Sequence, residues 1–573
     1  MASTIHDLER ASLRIRSVLD HNPAACRQTR DSLLESRTSE NNTDFYSLIG
    51  NGWSKFIIHK AKNEKAQLTI NAIRNPRSVT TINSLPPELL IRIFSLLVKS
   101  RPCLIPRYSP TLYTWNKKSF IQYPDSLSHV CSSWRSLVIG LPYFWSHVDI
   151  ILSHPLNSGL LARAEVFATR ASAAPLEVHL CDPDLSARQD WGGFPPFRSG
   201  QSPSGIPVES KSGTSAMDYF EFLNSVPAQI ESLNIHLTSR LQSHHKSALR
   251  YLLARCTPGI FNKFSMKYGE YGNPMYCIES TDNPQTPGNI LLSIPSQQLE
   301  QIWLCTTTLR LDGIYPPWSS QAYHGLVELH LGGGIGFRIP ESSLVRILRS
   351  SPGLRFLYLR IDLDNPLPLE SSVEPVHLDE LVELDIMGED PPGHSDKILR
   401  WIAPGSKPLQ FNFVGIPSSM AVPFCARSNI TRFYGEDFVS RWKTVVDMIR
   451  QSPRLEVLAL NARRFKDGNE LVSNLGSIPL DQGDRDPVSL STEVNTLYLL
   501  NFAELPFENL YAVIRKCAIQ RLMLRNTSIA YETGEGQAIC CQREVETRLS
   551  TCEHLVVVDH LAGRCSFDLE RWQ

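Results

Sequence analysis

A short pattern, Leu-x-x-Leu-x-Leu, recurs through the later part of this 573-residue chain and limits what it can fold into. It reads Leu326-Val327-Glu328-Leu329-His330-Leu331, then Leu354-Arg355-Phe356-Leu357-Tyr358-Leu359 and Leu381-Val382-Glu383-Leu384-Asp385-Ile386. Related segments occupy 176–180, 230–237, 299–304, 455–460, 494–499, 519–524 and 555–558. Apolar and polar residues that alternate at period two predict short strands, each with one buried face. Helical stretches stand between them. Leu344-Val345-Arg346-Ile347-Leu348-Arg349-Ser350-Ser351-Pro352 feeds one strand, and Val445-Val446-Asp447-Met448-Ile449-Arg450-Gln451-Ser452-Pro453 feeds another. Tyr511-Ala512-Val513-Ile514-Arg515-Lys516-Cys517 repeats that order. Helices that feed strands of this length imply parallel crossovers. A unit so small cannot bury its apolar face alone, so successive units must stack.

The pattern resembles a leucine-rich repeat. The resemblance implies an α+β or α/β repeat fold over 150–573, a solenoid of short parallel strands and helices that binds a protein substrate on its strand surface. Generic βα units in an open parallel sheet remain the competing arrangement. Two Pro/Gly-rich stretches, 181–217 and 268–289, are expected as long loops and as candidates for substrate contact.

A second feature precedes the repeats. Leu85-Pro86-Pro87-Glu88-Leu89-Leu90-Ile91-Arg92-Ile93-Phe94-Ser95-Leu96-Leu97 predicts a helix. Ser84 is its expected cap, the prolines suit its first positions, and Glu88 suits the positive end of its dipole. Leu89, Leu90, Ile93, Leu96 and Leu97 form its apolar stripe. Further on, Leu127-Ser128-His129-Val130-Cys131-Ser132-Ser133-Trp134-Arg135-Ser136-Leu137 predicts another helix, with Val130, Trp134, Leu137 and Val138 on one face and Gly140 and Pro142 as its stop. Leu141, Phe144 and Trp145 add a bulky apolar tail.

Together these segments resemble an F-box, in the style of the large fungal families. The resemblance implies a small helical module at 81–149 that docks on a Skp-type adaptor and, through it, on a cullin ubiquitin ligase. By the same resemblance the adaptor would meet Leu85, Pro86, Leu89, Ile93, Leu96, Val130, Trp134 and Leu137, with Leu85 and Pro86 foremost for direct contact. Which of these face the adaptor and which pack inside the module stays open on spacing alone. Residues 100–125, with four prolines, are expected as a loop inserted between the two halves. The chain would thus be the substrate-recognition subunit of a ubiquitin ligase. A non-catalytic repeat scaffold, or an adaptor-bound regulator without a role in ubiquitin transfer, is the alternative.

Ahead of this module, 1–36 carries Ile5, Leu8, Ile15 and Leu19 in a short helical register, and 37–80 is polar and weakly patterned, as in a linker. Net charge is −1, which gives no global field to attract nucleic acid or an anionic membrane. No apolar run approaches a membrane span, and the start of the chain lacks an apolar signal core. The 13 cysteines are odd in number and scattered, so they read as reduced thiols in a cytoplasmic or nuclear protein.

Motifs that could carry chemistry fall short. Gly332-Gly333-Gly334-Ile335-Gly336 lacks both phosphate-loop spacings. Cys540, Cys541, Cys552, His554, His560 and Cys565 form no Cys-x-x-Cys pair. No nucleophile elbow or zinc-protease helix occurs. The expectation is a binding protein with no catalytic residue, no metal and no cofactor.

Overall fold

The computed structural model describes residues 82–100, 124–151, 157–182, 220–237, 241–268, 276–282, 290–333, 338–368, 371–387, 395–417, 420–436, 442–462, 472, 494–502, 505–517, 519–533, 536–539, 542–550, 552, 555 and 557–560. The chain divides into two compact units, 1–90 and 91–573.

In the first unit the described residues are a 3-10 turn, Ile82–Ser84, and the opening turn of helix α1 (Pro87–Ser100). Ser84 closes the 3-10 turn, and its side chain, the expected cap of α1, lies outside what the structure describes. The Pro86 carbonyl accepts the first helical hydrogen bond, from Leu90 N at 3.2 Å. The expected segments at 1–36 and 37–80 lie outside the described residues.

The second unit is an α/β structure built on one parallel sheet of 14 strands. They are β1 (His147–Ile151), β2 (Leu176–Asp182), β3 (Ile230–Leu237), β4 (Lys263–Tyr268), β5 (Thr308–Asp312), β6 (Glu328–Gly332) and β7 (Phe356–Arg360). Then follow β8 (Glu383–Met387), β9 (Leu409–Val414), β10 (Ile430–Glu436), β11 (Val457–Asn461), β12 (Thr496–Leu500), β13 (Arg521–Arg525) and β14 (Val557–His560). Each strand pairs with the one before it, in chain order and without a reversal.

The register explains the sequence pattern. Leu309, Leu329, Leu357, Leu384 and Phe411 align across β5–β9, and all are buried on one face. The first leucine of each repeat lies two residues ahead of its strand, and Leu326, Leu354, Leu381 and Leu455 are each essentially inaccessible. Helices pack on this face. Phe424 of α8 (Ala421–Arg427) meets Phe411 at 5.1 Å, and Trp303 of α6 (Ser296–Trp303) meets Phe264 at 5.0 Å. The expected Ser-Pro stop has a physical role. Buried Ser351 ends α7 (Glu341–Ser350), donates to the Tyr323 carbonyl at 2.8 Å and accepts from Leu326 N at 3.0 Å, which locks one unit to the last.

Three expectations are corrected. Residues 299–304 are not a strand. Residues 299–303 fall in α6, because Leu299, Ile302 and Trp303 make a buried helical stripe while Leu304, which completed the repeat-like pattern, is exposed at its end, and β5 carries the ladder instead. The helix expected across 127–137 is broken into α2 (Asp125–Ser128) and α3 (Ser132–Ile139) by a turn at His129–Val130, with Cys131 extended at φ −156°. Inside the expected loop at 268–289 lies a strand, Tyr276–Ser280, that pairs with Ile290–Leu292 and Ile314–Tyr315 in a small side sheet. Most of the expected loops at 100–125 and 181–217 falls outside the described residues.

The remaining helices are α4 (Asn157–Ala171), α5 (Ser243–Ala254), α9 (Trp442–Arg450), α10 (Phe507–Lys516) and α11 (Gln542–Leu549). Among the described residues no helix is long and apolar enough to cross a membrane.

Candidate functional site

Two surfaces concentrate unusual chemistry. The first is the helical segment ahead of the sheet. In the second unit, Phe94 of α1 packs at a tilt against Trp134 of α3, with ring centroids 4.5 Å apart. Leu127, Val138, Phe144 and Trp145 are buried, and Trp145 Nε1 donates to the Val138 carbonyl at 2.8 Å. Trp145 also meets Phe167 of α4 edge-on at 5.0 Å, so this core is continuous with the start of the sheet. Around it large apolar side chains stand in solvent. Leu96 is 62% exposed and Val130 57%, with Leu97, Ile139 and Tyr143 also exposed. In the first unit Leu89 is 48% exposed, as is much of Ile82.

The sequence-derived docking residues therefore separate. Pro86, Leu89, Leu96 and Val130 are exposed, while Leu85, Ile93 and Leu137 are half-buried. Trp134, only 9% exposed, belongs to the internal core. Val130 owes its exposure to the turn between α2 and α3, a break that helical spacing did not reveal. Leu97, Ile139 and Tyr143 were not read as docking residues. Tyr143 is tied in by a 3.1 Å hydrogen bond between its hydroxyl and Ser95 Oγ.

The second surface is the sheet face opposite the helices. Its middle row, in register, runs Asp149, His179, Asn234, Ser265, Arg310, His330, Tyr358, Asp385, Asn412 and Tyr434. These are the variable positions between the repeat leucines. A cavity of about 220 Å³ opens on this face, between β2 and β8. Lys267, Arg310 and Arg360 line it together with His236 and His330. Burial first, then the neighbouring cations, hold both imidazoles down to about 4, so they are neutral at pH 7. Burial and the adjacent Glu383 push the Asp385 carboxyl up to about 7, and burial also raises Asp312. Arg310 Nε is 2.5 Å from Glu328 Oε1. With its acids disfavoured, the cavity suits an anionic group.

Two His/carboxylate groups stand among the described residues, and His179 of the first also lines this cavity. His147, Asp149 and His179 are buried at the start of the sheet, on β1 and β2. His147 Nε2 lies 3.2 Å from Asp149 Oδ1, and His179 Nδ1 lies 3.8 Å from the same oxygen. Glu177 Oε2 stands 3.3 Å from His147 Nδ1, and this contact is the main cause holding its carboxyl down to about 2. Burial opposes ionisation of Asp149, but His147, His179 and Arg163 outweigh it and hold its pKa below the ordinary carboxylate value. The second group is Asp182, His244 and His245. There the His245 ring is already occupied. Its Nδ1 accepts from Gln242 N at 3.0 Å to close the start of α5, and its Nε2 bonds Asp182. Neither group was anticipated from the sequence. The only signal was His147-Val148-Asp149 and Glu177-Val178-His179, whose alternation places all four polar side chains on one strand face.

Of the C-terminal Cys/His cluster only Cys552 and His560 are among the described residues, as is Gly332–Gly333 of the glycine run. No protein-family model matches the chain. No curated relative matches it either.

Proposed function

We propose that this chain is the substrate receptor of a Skp–cullin–F-box ubiquitin ligase. One observation carries the reading: the large apolar side chains exposed on α1, on the turn after α2 and near the end of α3, with Leu96 and Val130 more than half exposed. Exposing large apolar side chains costs solubility and is tolerated where a partner covers them. The Leu-Pro-Pro-Glu start of α1 and the Cys-x-x-Trp-Arg segment are what an F-box would supply. Docking would bury the exposed residues in an adaptor groove, while Phe94, Trp134, Val138 and Trp145 hold the module together.

The repeat sheet would be the cargo-binding part, a leucine-rich-repeat-like solenoid. Its strictly sequential parallel strand order supports stacked repeats rather than a doubly wound sheet, where strand order reverses. An amide ladder supports the same reading. Asn461 Nδ2 donates to the Tyr434 hydroxyl, Asn501 Nδ2 to Asn461 Oδ1 at 2.8 Å, and Asn526 Nδ2 to Asn501 Oδ1 at 3.1 Å, from one unit to the next. The cationic cavity on the open sheet face would take an acidic segment of the substrate. Such a receptor acts by raising the local concentration of its cargo near a ubiquitin donor, and needs no catalytic residue of its own.

The test is reconstitution. The full chain should co-purify with a Skp-type adaptor, and its deletion in the source cell should raise the abundance of at least one protein. Adaptor binding with no protein stabilised by deletion would favour the scaffold reading. No adaptor binding at all would remove the F-box assignment.

A further inference from the structure

We propose that His147, Asp149 and His179 form a binding site for a borderline divalent cation of the zinc type, oriented by Glu177 and Asn234. One donor atom from each of the three lies within 4.8 Å of the others. A tetrahedral zinc ion with bonds of about 2.0–2.1 Å places its donors roughly 3.3 Å apart. The separations of 3.2 and 3.8 Å are within a small closing motion of that figure. A water molecule would complete the tetrahedron.

The strand ladder sets this geometry. His147 pairs with Glu177 and Asp149 with His179 in the β1/β2 register, so four polar side chains share one face of two adjacent strands. The side-chain exposures of His147, Asp149 and His179 are 10%, 3% and 6%.

The surrounding contacts fit ligation. With Nε2 of His147 on the ion, its Nδ1–H points at Glu177 Oε2, 3.3 Å away, which is the carboxylate–histidine–metal arrangement. With Nδ1 of His179 on the ion, its Nε2–H faces the Asn234 amide at 3.4 Å, which accepts once its oxygen is turned inward. Asp149 can serve two cations at once. Its Oδ1 faces the histidines, while its Oδ2 lies 4.0 Å from Arg163 Nη1. His179 and Asn234 also line the sheet-face cavity.

The site has a structural purpose. Among the described residues β1 is the first strand of the sheet and pairs only with β2. An ion held by both strands would clamp that edge. Arg163, which also bonds Asp125 at 3.1 Å, would link the clamp to α2 and so to the proposed adaptor-docking helices.

The experiment uses the full chain, stripped with a chelator and titrated with zinc against a chromophoric competitor, with thermal stability followed in parallel. One zinc per chain should bind and raise the melting temperature. Glu177→Gln, at a side chain 39% exposed, should keep the fold and weaken binding about 10–100-fold. His147→Ala and His179→Ala should abolish the site. Cobalt substituted for zinc should show ligand-field bands without thiolate charge transfer, because no cysteine ligates. Failure to bind zinc, or a Glu177→Gln chain that binds as tightly as wild type, overturns the proposal. So do cobalt thiolate bands, which would put the ion on cysteines.

Discussion

Glu341 offers the sharpest energetic test of the repeat stack. It begins α7, is 4% exposed at its side chain, and meets Arg400, 6% exposed, at 2.5 Å through Oε1. The same oxygen accepts from Trp401 Nε1 at 2.6 Å, and Oε2 accepts from Leu367 N at 2.6 Å. Three donors from two later units therefore converge on one carboxylate. Glu341→Ala leaves Arg400 charged and buried, still bonded only to the Pro368 and Leu367 carbonyls, and strips the Trp401 and Leu367 donors. Breaking a buried pair this way costs about 3–5 kcal/mol. Pairing it with Arg400→Met removes the stranded charge and should recover most of that loss. Hydrogen exchange is the right assay, because repeat arrays open locally. Amides of α7 and of 395–404 should exchange at least 100-fold faster in Glu341→Ala and return toward wild type in the double variant. A single variant within tenfold of wild type, or a double variant worse than the single, would refute the role assigned to this carboxylate.

Further outcomes follow from particular residues. Trp134→Ala removes the ring that packs against Phe94 and should cost about 3–5 kcal/mol, read as lost helical-segment protection. Gly313 sits at φ +86°, and an added Cβ would lie 2.7 Å from the Tyr268 carbonyl oxygen, so Gly313→Ala should lower the melting temperature. His236 and His330 each titrate near 4 when folded and near 6.5 when unfolded. The unfolded chain thus takes up protons first, and stability is full above pH 6.5 and lost as pH falls toward 4. The loss is up to roughly 3 kcal/mol per histidine, and His330→Gln should flatten the slope in pH-dependent thermal unfolding.

Much of this fold is written in the Leu-x-x-Leu-x-Leu pattern, because its leucines are buried on the helix-covered face at β6, β7 and β8. β7, β8 and β11 lie where that pattern puts them. β9 and β10 were not legible. Leu409-Gln410-Phe411-Asn412-Phe413 lacks the leading leucine, and Ile430-Thr431-Arg432-Phe433 breaks the alternation where its register shifts. At 299–304 Leu299 and Ile302 fit either period, and the helix completed by Trp303 prevailed over the pattern completed by Leu304. The candidate sites were harder still. The polar face is made of the variable positions between leucines, so neither the cationic cavity nor the His147 group exists until strand register aligns residues 30 or more apart in sequence. Exposure at Val130 likewise depends on the α2–α3 turn, which spacing alone read as continuous helix.

The claim that the exposed apolar residues of the helical segment form an adaptor-docking face is tested most directly by measuring the affinity of the full chain for a Skp-type adaptor. Leu96→Asp should weaken binding at least 100-fold, because burying a leucine is worth about 1.5–3 kcal/mol and the added carboxylate must also be desolvated. Leu304→Asp, at an equally bare leucine after α6, is the control and should bind as wild type. Equal affinities for wild type, Leu96→Asp and Leu304→Asp would contradict the account.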